Sequence, residues 1–187
     1  MAVLYPWESW MDWTVTARSG CRSASRIRWS ISRAVTKRSA SVWEIRTTRG
    51  LDVLSALTLV TEVGDIRRFG HPRRLTSYAG MDLIEHSSGG KERKFSMSRM
   101  GNRHIRTAVI EACQYAFNAP VVSQIIQKRR QATPAPLVEI ADRCMQRLHK
   151  KARRLLYRDK PRNKIKAACA REMLGFIWES LNAVAHA

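Results

Sequence analysis

The chain has 187 residues, 34 of them lysine or arginine against 15 aspartates and glutamates, a formal net charge of +19. Hydrophobic residues make up 44% and charged ones 26%, which is the balance of a globular domain, and the length suits one domain with or without a tail. Such an excess of cation argues against an ordinary small-metabolite enzyme and for a polyanionic partner, nucleic acid being the usual one; no apolar run reaches the roughly 18 residues that a membrane helix needs.

Residues 1–45 hold five of the six tryptophans and eight serines, and no apolar period of 3.6 or 2 persists there. They are expected to form an irregular leader, and the folded domain to span residues 46–187. From there the periodicity is helical. Asp52 stands where a helix to Gly64 would be capped, with Val53, Leu57 and Val60 predicted inward. Asp65 opens a short turn. Pro72 suits a first helical position, and the next stop is Gly80. Residues 81–101, with the Gly89-Gly90 pair, predict a loop or a loose hairpin. A helix follows over 102–118 with Ile105, Ala108, Val109, Ala112, Cys113 and Ala116 on one face. A further stretch covers 121–131, and Thr133 to Pro136 reads as a linker or turn. The long helix over 137–157 turns Ile140, Ala141, Cys144, Leu148, Ala152 and Leu155 inward, and a last helix capped by Asn163 does the same with Ile165, Ala168, Cys169, Met173, Phe176, Ile177 and Leu181. The fold class predicted is all-α.

Cys21, Cys113, Cys144 and Cys169 form no C-x-x-C pair and have no histidine at ligand spacing, so neither a zinc site nor a disulfide framework is expected. Three of them fall on apolar stripes as small core residues. That usage implies a reducing compartment, and a cytoplasmic protein is expected.

Three segments could carry chemistry. Arg49-Gly50-Leu51-Asp52 is a glycine turn feeding a helix, whose free N–H groups and dipole can bind phosphate. In the segment from His86 to Lys94, Ser87 and Ser88 precede two glycines and the cations Lys91, Arg93 and Lys94. A serine that attacks a phosphodiester needs mobile backbone and nearby positive charge, although the same composition also suits a plain flexible turn. Downstream, Arg99, Asn102, Arg103 and Arg106 extend the polar and basic character into a helix start. The third segment, from Arg143 to Lys166, carries eleven cations and one acid, Asp159. A solvated helix face normally mixes signs, so the run points to backbone binding, with Lys150, Lys151, Arg153 and Arg154 at its centre.

Five stretches in order, RGLDVLSALTLVTEVGDIRRF (49–69), PRRLTSYAG (72–80), HSSGGK (86–91), GNRHIR (101–106) and KPRNKIKAACAREMLGFIW (160–178), resemble the C-terminal half of insertion-sequence transposases of the IS110/IS116/IS902 family. The resemblance implies a DNA recombinase that pairs a metal-binding RuvC-like domain with a serine domain. It implies Ser88 as nucleophile, with Ser87 the alternative; charge and position then put Lys91, Arg93, Asn102, Arg103 and Arg106 on the phosphates around it, with Arg99 and the Gly50 turn as further nucleic-acid contacts. It also implies DNA and a noncoding bridge RNA as partners, in a homo-oligomer, with Mg²⁺ held by the other domain. The only acids before residue 46 are Glu8, Asp12 and Glu44, which cannot make a four-carboxylate site, so no metal or other cofactor is expected in this chain. The expectation is a truncated transposase, inactive alone, with a noncatalytic nucleic-acid-binding helical module as the alternative.

Overall fold

The computed structural model describes residues 41–84, 87–88, 91–92 and 96–186, all within a compact unit formed by Ser39–Ala187. Helical residues 41–45 (α1) lead into α2 (Val53–Val63), a 3₁₀ turn (Ile66–Arg68) and α3 (Pro72–Tyr78). Four two-residue strands follow: β1 (Leu83–Ile84), β2 (Ser87–Ser88), β3 (Lys91–Glu92) and β4 (Ser96–Met97). Then come α4 (Arg103–Ala112) with a 3₁₀ extension (Cys113–Phe117), α5 (Gln124–Arg130), α6 (Ala135–Tyr157) and α7 (Arg162–His186). The class is all-α, and the short strands serve only to close a hairpin arm between α3 and α4.

Helix α7 is the spine of the core, packing against α3, α4, α6 and both 3₁₀ segments. Ile165, Cys169, Met173, Leu174, Ile177 and Leu181 recur at helical spacing and are all buried. Helix α4 turns in Ile105, Ala108, Val109 and Ala112, the face read from sequence. The three described cysteines are free and buried; burial pushes the Cys144 thiol up to about 12 and that of Cys169 to about 11, so they are inert core side chains.

Helix α2 is rotated from its predicted orientation. Ala56, Leu59, Val60 and Val63 are buried, while Val53 and Leu57 are exposed. The helix is apolar nearly all round, so its own pattern does not choose a face; packing on α4 chooses it. Asp52 occupies the N-cap position but makes no capping bond, and its carboxylate instead meets Arg129 at 3.3 Å. Of the Thr133–Pro136 segment only the start is a turn: Thr133 N donates to Arg130 O at 3.0 Å, while Pro134 is the N-cap of α6 and Ala135 and Pro136 are its first helical residues, positions where a missing N–H costs nothing. Likewise α5 starts only after Ser123, whose hydroxyl accepts from Ile126 N, and α7 starts at Arg162, ahead of Asn163. The folded unit also reaches further toward the N-terminus than residue 46, because Val42 and Ile45 belong to the core.

Candidate nucleic-acid interface

The serine segment sits on an arm that is tied at its neck. Leu83 and Ile84 pair antiparallel with Met97 and Ser96. Further out, Ser87 pairs with Glu92 and Ser88 with Lys91, so only Gly89 and Gly90 lie between the last opposed positions. At the neck, Met81 N donates to Thr76 O at 3.1 Å, Ser98 N to Asp82 O at 2.9 Å, Arg99 N to Gly80 O at 3.1 Å and Asn102 N to Tyr78 O at 2.7 Å. A Cβ on Gly101 would stand 2.5 Å from both Gly80 N and Tyr78 O, so only glycine allows the two sides of the neck to touch.

The side chains read as phosphate contacts divide into two groups here. Asn102 caps α4, its Oδ1 accepting from His104 N at 2.9 Å and Ile105 N at 3.1 Å, and its Nδ2 donates to Glu62 Oε2 at 2.6 Å. Arg106 donates to Ala79 O at 2.9 Å. Both are committed to the neck. Arg99 and Arg103 are exposed. Arg103 lines a groove of about 400 Å³ between α2 and α4, with Ser55, Thr58, His104, Thr107 and Glu111 beside it. Arg93 lies outside the described residues, as do Gly89 and Gly90.

Gly50 is part of a packed turn. Its φ is +94°, and a Cβ there would run into the Ala112 carbonyl. The flanking residues are tied down as well: Arg49 Nη1 donates to Ala119 O and Arg129 Nη1 to Leu51 O at 3.3 Å. The glycine serves the close approach of this turn to the end of α4.

Several residues under the neck had no separate signal in the sequence. The Arg68 guanidinium carbon lies 4.5 Å from the Phe69 ring centroid and 4.6 Å from that of Tyr78. Hydrogen bonding from Arg68, and then from Asn102, holds the Tyr78 phenol below its ordinary range despite some desolvation. From α7, Trp178 Nε1 donates to Phe69 O at 2.7 Å. Arg68, Phe69, Tyr78 and Trp178 all lie in the stretches that carry the family resemblance, but nothing there set them apart from their neighbours.

The basic run on α6 divides into two stripes. Arg143, Arg147 and Lys151 face α7, where Arg143 meets Glu179, Arg147 meets Glu172 at 3.3 Å and Lys151 meets Glu172 at 2.9 Å. Burial pushes the Glu172 carboxyl up, but hydrogen bonds from Lys151 and Arg147 outweigh it and hold the group below its usual value. The acids missing from the run are therefore supplied by the neighbouring helix. Lys150, Arg153 and Arg154 lie on the outer side, exposed, and their side chains make no ion pair or hydrogen bond among the described residues.

No group of His, Cys, Asp or Glu among the described residues could hold a metal ion, so these side chains do not fit the Mg²⁺ of a carboxylate site. No described helix is long and apolar enough to cross a membrane.

Residues 42–127 match the family model of the IS116/IS110/IS902 transposases. Over 141 residues the chain is 33% identical to the y4qE protein of Sinorhizobium fredii, which bears a transposase name; this covers 75% of the chain and 36% of that protein. It is also 33% identical over 82 residues to the transposase for insertion sequence element IS1111A of Coxiella burnetii, covering 44% of the chain and 22% of the relative. The chain thus spans about a third or less of the length of these relatives. The match begins at α1, runs through the tied neck and the serine arm, and ends within α5; by it and by these likenesses the chain belongs to the IS116/IS110/IS902 family of insertion-sequence transposases.

Proposed function

We propose that the chain is the serine domain of an insertion-sequence DNA recombinase, which binds DNA and presents Ser88 to a phosphodiester. The observation that carries this reading is the hairpin register that opposes Ser88 to Lys91 and Ser87 to Glu92. A nucleophile opposite a cation suits a reaction that gathers negative charge on phosphorus, whereas one opposite a carboxylate does not. In that reaction the Ser88 oxygen bonds to phosphorus, its proton passes to a base, and the displaced sugar oxygen leaves and takes up a proton. The product is a phosphoserine diester. Arg99 and Arg103, exposed beside the neck, would hold the flanking strand. The described residues supply no metal site, so the step requires activation from elsewhere, and a guide RNA would be bound by the assembled recombinase.

The test mixes the chain with the N-terminal part of the y4qE protein, Mg²⁺ and end-labelled insertion-element DNA, and looks for a covalent adduct on a denaturing gel. Adduct lost in Ser88→Ala and kept in Ser87→Ala is the expected outcome. An adduct that survives Ser88→Ala overturns the assignment. If no adduct forms while DNA is still bound, the chain is a noncatalytic nucleic-acid module, a reading that the unpaired cations of α6 favour.

A further inference from the structure

We propose that the outer face of α6 near its C-terminus is a docking surface for an unpaired nucleic-acid strand, with Lys150, Arg153 and Arg154 on its phosphates and the Tyr157 ring stacked on a base. The proposal rests on the nucleic-acid reading above and adds the kind of strand and the place that takes it.

Positions 150, 153, 154 and 157 follow the i, i+3, i+4, i+7 spacing that puts residues on one helix face. All four are exposed, and the stripe runs along about 10 Å of helix. Tyr157 is 95% exposed, and its ring has no hydrogen-bond, aromatic or cation partner among the described residues. A single exposed aromatic is ordinary; one in line with three unpaired cations is a stacking platform beside a phosphate track, the combination that binds single strands.

The platform is firmly based. Helix α6 ends at Tyr157 with Arg158 as its C-cap, and the chain turns at Asp159, whose φ is +52°; Asp159 N donates to Leu156 O at 2.9 Å and Lys160 N to Leu155 O at 3.1 Å. Leu155 packs against the core, so the last turn is held in place. Arg158, Lys160 and Lys164 continue the positive charge around this turn, all of them exposed.

An unpaired base is favoured over a duplex because a stacking ring needs an open base face. In a duplex both faces are covered by neighbouring pairs, leaving only edges and phosphates. Single-stranded DNA and RNA share the required chemistry, so both enter the test.

The full chain is titrated into labelled oligothymidylate, oligouridylate and a blunt duplex of equal length, and anisotropy is read. Tyr157→Ala is expected to weaken binding to single strands about tenfold and to leave the duplex unchanged, with Tyr157→Trp restoring the affinity. An unchanged melting curve shows that the fold is intact. A loss confined to the thymidylate or to the uridylate supports the surface and identifies its source as DNA or RNA. Single-strand binding unaffected by Tyr157→Ala, or weakened equally with the duplex, overturns this proposal while leaving the nucleic-acid reading in place. No binding of the unaltered chain to any of the three overturns both.

Discussion

Arg106 Nη1 donates to the carbonyl of Ala79 at 2.9 Å and to that of Arg99 at 3.3 Å, one cation closing both ends of the hairpin neck. A guanidinium committed in this way is a structural brace rather than a phosphate ligand. Arg106→Met should cost about 1.5–3 kcal/mol in urea denaturation, the usual worth of hydrogen bonds to a charged group. Arg106→Lys should recover only part of it, because an ammonium on a flexible four-carbon stem lacks the rigid planar geometry that aims the guanidinium nitrogen at both carbonyls. The salt dependence of DNA binding should stay as it is. A variant of unchanged stability but flatter salt dependence would show that Arg106 works on phosphate after all.

The same separation of roles applies to Gly50. At φ +94°, with the Ala112 carbonyl in the way of any Cβ, Gly50→Ala should lose about 1–3 kcal/mol from backbone strain alone, and more from the displaced contact. Molecules that still fold should bind DNA as before. A phosphate-binding turn would behave the other way, losing affinity at constant stability, and parallel denaturation and anisotropy measurements distinguish the two.

These two residues mark what the sequence could and could not disclose. Helices α4, α6 and α7 were legible because their apolar positions recur at 3.6 spacing over many turns, and Ile105, Cys144 and Met173 lie where that rhythm puts them. Helix α2 was misread because leucine and valine occur on every side of it, so the choice of face belongs to packing. The motif around Gly101 was visible, but its purpose was not. The neighbour that makes glycine necessary, Gly80, is distant in sequence, and both glycines and Arg106 serve one crossing. In the same way the run from Arg143 to Lys166 looks uniformly basic along the chain, while Glu172 and Glu179, which neutralise one side of it, follow later. Of the candidate site, residue types were readable and commitments were not.

Burial also predicts a pH effect at the start of the folded unit. The Glu44 carboxyl is pushed up from 4.5 to about 7 by desolvation, and its Oε2 has no hydrogen-bond partner among the described residues. Between those two values the folded state holds more proton than the unfolded chain, so stability falls as pH rises through that window. Glu44→Gln should therefore stabilise the protein at pH above 7, by on the order of 1 kcal/mol or more, with the gain fading as the pH drops toward the ordinary carboxylate range. Urea denaturation across pH checks the sign, and a gain that grows in acid would contradict the assigned burial.

Lys150 and Lys151 are neighbours in sequence with opposite commitments, and they provide the sharpest comparison. Lys151 Nζ lies 2.9 Å from Glu172, whereas Lys150 is exposed. Lys150→Gln should lower the slope of log affinity against log salt for duplex DNA by about 0.9 if it neutralises one phosphate, at constant stability. Lys151→Gln should leave that slope unchanged and cost about 1 kcal/mol at neutral pH. Because the folded state holds the Glu172 carboxyl below its usual value, the stability it contributes is present above the ordinary carboxylate range and is lost as pH falls through the folded value. The penalty of Lys151→Gln should shrink over the same acidic interval. If instead the two variants flatten the salt slope equally, the ion pair with Glu172 does not withhold Lys151 from DNA, and the division of α6 into a paired and an open stripe fails.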